Sequence, residues 1–181
     1  MGAQSKHVAF LRGINVGGKN KLPMKDLAAM FEKAGCSGVR TYIQSGNVIF
    51  GAPAKLASTI AKRIESDLGF QSPVVVRSQA QLQQVVDDNP FLRKKLDPDF
   101  LHVYFLADLP SASQLAALDP ARSAPDEFVV AGQQIYLHLP NGMARTKLSN
   151  AYFDSKLKTV STARNWRTTT TLLQLMVSPG P

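Results

Sequence analysis

Val39-Arg40-Thr41-Tyr42-Ile43 and Val48-Ile49-Phe50, joined by Gln44-Ser45-Gly46-Asn47, decide how this chain is read. Both runs are rich in β-branched and aromatic residues, and the glycine between them tolerates positive φ, so the segment reads as a β-hairpin. Its flanks give the hairpin a context. Upstream, the apolar run His7-Val8-Ala9-Phe10-Leu11 ends at Gly13 and reads as a buried strand. Pro23 then opens a segment in which Leu27, Met30, Phe31 and Ala34 recur at helical spacing, and Gly35 ends it. Downstream, Leu56, Ile60, Ile64 and Leu68 repeat every fourth position between Pro53 and Gly69, and Pro73-Val74-Val75-Val76 follows as a strand. The order is β-α-β-β-α-β, the split βαβ arrangement of ferredoxin-like folds.

The order then repeats. Ser78 caps a helix carrying Leu82, Val85 and Val86, which Asn89-Pro90 stops, and a proline-punctuated linker runs to about Asp99. Leu101–Leu106 reads as a strand and Ser113–Leu118 as a helix. Phe128-Val129-Val130 and Ile135–Leu139 read as a hairpin, Leu148–Leu157 as a basic amphipathic segment, and Thr159–Thr162 as a last strand. A final helix is expected over 168–176, with a loose tail over 177–181. The expected fold class is therefore α+β, with two tandem ferredoxin-like halves and an added C-terminal helix. The boundaries are 1–77 for the first half, 78–99 for a helix and linker, and 100–181 for the second half.

A chain of 181 residues needs no disulfide or metal staple. Its lone Cys36 has no Cys/His cluster or redox partner nearby in sequence, which points to a reducing, cytoplasmic compartment. No apolar run approaches the roughly 20 residues of a spanning helix, and residues 1–6 lack a signal-peptide core, so neither membrane insertion nor export is expected. The formal net charge is +8, and its distribution says more than its size. Residues 1–25 hold five cations and no carboxylate, and residues 145–167 hold six cations against Asp154 alone, whereas residues 96–144 are acidic. Such segregation implies a polarised surface that favours anionic partners.

Taken together, Leu11-Arg12-Gly13-Ile14-Asn15-Val16-Gly17-Gly18, Arg40-Thr41-Tyr42-Ile43-Gln44-Ser45-Gly46-Asn47-Val48, Asn89-Pro90-Phe91, Leu139-Pro140-Asn141-Gly142, Lys147-Leu148 and Thr162-Ala163-Arg164-Asn165-Trp166 carry a family resemblance. In this order the chain resembles DUF1697, a bacterial family of unknown function, over nearly its whole length. The resemblance implies a cytosolic α+β protein of two related halves and implies no particular reaction. Ala163 stands where a second threonine is expected from the family, and Thr171 where a lysine is expected.

The candidate site centres on the glycine-rich loop from Arg12 to Lys21, which is not a P-loop because Lys19 is followed by Asn20. The functional reading is a cradle of backbone N–H groups at Gly17 and Gly18, with Arg12 and Lys19 neutralising phosphate or carboxylate. The plain reading is a connection whose glycines serve only its turns. Asn15, Gln44, Ser45 and Asn47 join the ligand-binding set if the loop meets the hairpin turn, although asparagine in a turn commonly bonds its own backbone. In the second half Lys147 lies in a basic turn. Arg164-Asn165-Trp166-Arg167 sets an aromatic between two guanidinium groups, which suits either base stacking or packing of the last helix with the arginines directed outward.

Catalytic signals are thin. His7, His102 and His138 have no Ser, Asp or Cys partner in a recognisable motif, Asp87-Asp88 reads as a helix end, and no metal or cofactor is implied. Three function classes remain. The leading one is binding of a phosphate-bearing ligand, a nucleotide or single-stranded nucleic acid, though the aromatic-rich RNP1 pattern is absent. The second is an enzyme acting on a small phosphorylated or carboxylated metabolite, with Arg12, Lys19 and Lys147 as charge clamps. The third is an interaction module for an acidic protein.

Overall fold

The computed structural model describes residues 5–178, apart from the side chains at positions 54, 55 and 57. In chain order its elements are β1 (Ser5–Leu11), α1 (Met24–Lys33), β2 (Ser37–Tyr42), β3 (Asn47–Ala52), α2 (Ala54–Asp67), β4 (Val74–Ser78), α3 (Gln79–Asp87) and α4 (Pro90–Arg93). A 3-10 turn at Pro98–Phe100 leads into β5 (Leu101–Leu106), α5 (Ala112–Ala116), β6 (Glu127–Ala131), β7 (Gln134–His138), α6 (Asn150–Leu157), β8 (Ser161–Asn165) and α7 (Trp166–Val177). The result is a mixed α+β structure with two four-stranded antiparallel sheets, ordered β2-β3-β1-β4 and β6-β7-β5-β8. It divides into two compact units, Met1–Gln83 with Thr171–Pro181, and Gln84–Thr170. Among the described residues no helix is long and apolar enough to cross a membrane.

In the first unit β1 lies between β3 and β4, with Ala9 opposite both Val48 and Val76. Strand alternation puts Ala9, Leu11, Val48 and Phe50 on one face, where they pack against Leu27 and Phe31 of α1 and Ile60 and Ile64 of α2. Those helical residues are the stripes visible in the sequence, and full burial of each large side chain contributes about 1.5–3 kcal/mol. On the other face Val8, Phe10, Ile49 and Val75 are also buried. The end of α7 belongs to this unit. Lys6 Nζ donates to the carbonyls of Met176, at 2.7 Å, and Ser178, at 3.3 Å, and the Arg40 guanidinium donates to that of Leu175. Both cations meet the carbonyls that a helix leaves unsatisfied at its negative end. Lys6, part of the acid-free N-terminal stretch, is thus engaged by the fold.

In the second unit β5 is central, and Tyr104, Leu106, Ile135 and Leu137 pack against Tyr152, Phe153 and Leu157 of α6. The buried Tyr104 hydroxyl donates to the Leu148 carbonyl at 2.8 Å, so its burial leaves no polar group unsatisfied. The expected linker contains a one-turn helix, α4, in which Asn89 Oδ1 accepts from the Phe91 N–H and Pro90 takes the first position. The last helix starts at Trp166 rather than Thr168. Asn165 Oδ1 accepts from the Thr168 N–H at 2.8 Å, and the Thr169 and Thr170 hydroxyls donate to the carbonyls of Asn165 and Trp166. Those bonds give β-branched residues an intrahelical role that propensity alone does not register. Val177 ends α7 and Ser178 N–H still donates to Gln174, so of the expected tail only 179–181 lies outside the described residues.

The two units repeat one local device. Arg77 of β4 stands opposite Val8, and Arg164 of β8 stands opposite Val103, each on the last strand beside the central one. Both arginines are buried, each donates to the carbonyl of the preceding residue, and burial lowers both pKa values to about 10. Each is followed by the cap of a helix: Ser78 Oγ accepts from the Gln81 N–H, and Asn165 Oδ1 from the Thr168 N–H.

Two histidines couple this fold to pH. Burial lowers the pKa of His7, whose ring stacks on Phe50, and burial likewise lowers that of His102, both from an ordinary 6.5. Between the lowered folded values and 6.5 the unfolded chain binds more protons than the folded one, so stability increases with pH through that window and is lost on acidification. The melting temperature is expected to fall from about pH 7.5 to about pH 5.5. A His7→Gln/His102→Gln variant should show a flatter profile over that interval in a scanning fluorimetry series; an unchanged slope would contradict this assignment.

Candidate functional site

The glycine-rich loop is anchored on both sides as it leaves β1. The Leu11 N–H donates to the Gly46 carbonyl at 2.8 Å, the Arg12 N–H to the Pro73 carbonyl at 2.9 Å, and Ser72 Oγ to the Arg12 carbonyl at 2.9 Å. The chain then folds into a miniature hairpin. Val16 and Lys19 form an antiparallel bridge, with the Lys19 N–H donating to the Val16 carbonyl at 3.1 Å. Gly17 and Gly18 occupy its tip at φ +58° and +73°, the pair of positive values a type I′ turn demands.

Asn15 holds this hairpin in place. Its Nδ2 donates to the carbonyls of Leu22, at 2.8 Å, and Gln44, at 3.0 Å, and its Oδ1 accepts from the Leu22 N–H at 2.8 Å. Asn20 adds a bond from Nδ2 to the Gly13 carbonyl at 2.9 Å. The bond to Gln44 and that from Leu11 to Gly46 bring the glycine-rich loop and the β2–β3 turn into one cluster. Asn15 and Asn20 lie at φ +55° and +48°, where asparagine is among the better-tolerated residues.

The β2–β3 turn is shaped with equal specificity. Asn47 is fully buried, and its Nδ2 donates to the Tyr42 carbonyl at 3.1 Å and to Ser45 Oγ at 3.0 Å. Gly46 sits at φ +80° against the loop, where a Cβ would stand 2.8 Å from both Leu11 Cβ and Ile14 Cδ1. Ile43 does not continue the strand, which ends at Tyr42. It turns to φ +49° with 49% of its surface exposed. For a β-branched residue that conformation carries strain of order 1–3 kcal/mol.

What reaches solvent is narrower than the sequence suggests. Gly17, Gly18, Lys19, Lys21 and Gln44 are exposed, as is Val16 at 63%. Among the described residues nothing accepts from the N–H of Gly17 or Gly18. Two backbone donors at a braced tip with lysines at positions 19 and 21 can receive an anion without further ordering of the chain. The amides of Asn15 and Asn47 instead bond the chain and hold the cluster's shape. Arg12 is half-buried. Cys36 is buried and its thiol is pushed up to about 11, so it stays protonated at neutral pH.

The remaining expected positions lie in the second unit. Arg164 is a buried strand residue and Trp166 is 5% exposed, so the expected outward direction of the arginines holds only for Arg167. Arg167 pairs with Asp99 at 3.2 Å, and Asn165 caps α7. Lys147 is exposed in a turn where its N–H donates to Ser123 Oγ at 2.9 Å and its carbonyl accepts from Arg122 Nε at 3.1 Å. Gly46, Ile14 and Ile43 belong to the loop cluster without having been singled out in the sequence as ligand-site residues. Gly46 was visible only as a turn glycine, and Ile43 was hidden in a run that reads as strand.

A family model described as "Protein of unknown function (DUF1697)" matches residues 4–136. No curated protein matches the chain. Among solved structures, the conserved bacterial protein SP0830 from Streptococcus pneumoniae is similar, with a TM-score of 0.74 and 20% identity over 96% of this chain and 99% of that one. At that identity the similarity concerns the fold.

Proposed function

The chain belongs to the DUF1697 family of proteins of unknown function, and from that premise we propose that it is a cytoplasmic protein that binds a phosphate-bearing ligand at the Arg12–Lys21 loop of its first unit. The observation that carries the reading is the Gly17-Gly18 hairpin tip, with two N–H groups directed to no internal acceptor and Lys19 and Lys21 exposed beside it. The brace from Asn15 to Leu22 and Gln44 supports it, because a preorganised loop loses little conformational entropy on binding. Residues 1–25 contain no carboxylate to oppose an anion. The same sheet order in both units and the equivalent registers of Arg77 and Arg164 support a description as two tandem ferredoxin-like halves with an added C-terminal helix. In that description the binding loop follows the first strand of the first half.

The test is thermal unfolding against a panel of phosphate esters. A ligand at about 100 times its dissociation constant should stabilise the fold by about 2.7 kcal/mol. The Lys19→Gln/Lys21→Gln variant is expected to fold normally, both side chains being exposed, and to lose most of that stabilisation. Stabilisation should also shrink as salt is raised, since exposed charges are screened. A flat panel, or equal stabilisation of the variant, would contradict the proposal.

A further inference from the structure

Two exposed apolar side chains stand within this cluster, and the fold makes little use of either. Val16 is 63% exposed and directly precedes the Gly17-Gly18 tip, and Ile43 is 49% exposed and directly precedes Gln44. Asn15 Nδ2 donates to the Gln44 carbonyl at 3.0 Å, so each apolar residue is one position from the bond that joins the two loops. Ile43 occupies φ +49°, where glycine or asparagine would sit with less strain, so neither backbone geometry nor core packing accounts for its side chain. A site combining free backbone donors, exposed lysines and adjoining apolar surface is matched to a ligand that is anionic at one end and presents an apolar face beside it. Inorganic phosphate and sugar phosphates lack the second part.

We infer that Val16 and Ile43 form the contact surface for the base of a nucleoside phosphate whose phosphate lies at the Gly17-Gly18 tip. The inference rests on the anion-binding reading above and specifies its ligand class. Lys19 and Lys21 supply charge, the glycine N–H groups supply direction, and the two aliphatic side chains supply discrimination between a nucleoside phosphate and a plain sugar phosphate.

The experiment is isothermal titration of the full chain with inorganic phosphate, ribose 5-phosphate, adenosine monophosphate and guanosine monophosphate at one fixed salt concentration. At least one nucleoside monophosphate should bind about tenfold more tightly than ribose 5-phosphate, the scale expected from covering one or two apolar side chains. In Val16→Ser/Ile43→Gly that margin should vanish while ribose 5-phosphate affinity is unchanged. The Ile43→Gly variant should melt no lower than the parent because the turn's strain is relieved. Val16→Ser alone, at an exposed hairpin position, should narrow the margin without altering the turn. Equal affinity of the parent for nucleoside and sugar phosphates, or a margin that survives the double substitution, would overturn the inference and leave the anion site standing. Failure of ribose 5-phosphate and every other probe to bind would overturn the anion reading itself and this inference with it.

Discussion

Gly46→Ala is expected to destabilise the protein by about 3 kcal/mol, the sum of an overpacked contact and a left-handed backbone conformation. The added Cβ would lie 2.8 Å from Leu11 Cβ, an atom fixed to the central strand, and 2.8 Å from Ile14 Cδ1, a flexible side-chain end that could partly yield. Moving the turn away offers little relief, because the Gly46 carbonyl accepts from the Leu11 N–H at 2.8 Å. Gly17→Ala and Gly18→Ala are the controls: a Cβ at either meets nothing within 4 Å, so each should cost only about 1 kcal/mol, from positive φ alone. Urea unfolding of the three variants separates the cases. Equal losses at all three positions would mean that close packing between the two loops is not what Gly46 provides.

Asn15→Ala is expected to cost about 2 kcal/mol and to abolish ligand-induced stabilisation. Its side chain makes three hydrogen bonds, each contributing about 1 kcal/mol, and alanine tolerates φ +55° less well than asparagine. The cost is held to about 2 kcal/mol because the exposed hairpin can open locally without unfolding the sheet. Local opening is also why binding should suffer more than stability. Once the bonds to Leu22 and Gln44 are gone, the Gly17-Gly18 tip is no longer held in one conformation. Urea unfolding and a phosphate-ester thermal-shift series on the same preparation would report the two effects separately. Unchanged ligand response in Asn15→Ala would show that the brace does not organise the site.

Much of this architecture is legible in the amino-acid sequence. The hairpin between two stripes of apolar residues, and its recurrence after Asp99, yielded the element order of both units, because periods of two and of about four are direct consequences of strand and helix geometry. The difficult positions were those whose role depends on something distant in sequence. Arg164 lies in a basic run and reads as solvated, yet its strand position opposite Val103 places it inside. Trp166 suits stacking or packing as sequence, and in the structure it opens α7 with 5% of its surface exposed. Asn15 offers the same amide to a ligand as to a backbone, and the approach of Leu22 and Gln44, which its side chain bonds, depends on residues distant in sequence. Ile43 is the instructive case. Every local preference extends β2 through it, but the turn that seats Gly46 against Leu11 and Ile14 forces it to positive φ and leaves it half in solvent.

The phosphate site is located most directly by a titration of isotope-labelled protein with adenosine monophosphate, followed through the backbone amide resonances. Saturable shifts concentrated at Gly17, Gly18 and Lys19, extending to Gln44–Gly46 and absent in Lys19→Gln/Lys21→Gln, are the expected result. Shifts that do not saturate, or that map away from both loops, would contradict the placement of a phosphate site at this hairpin.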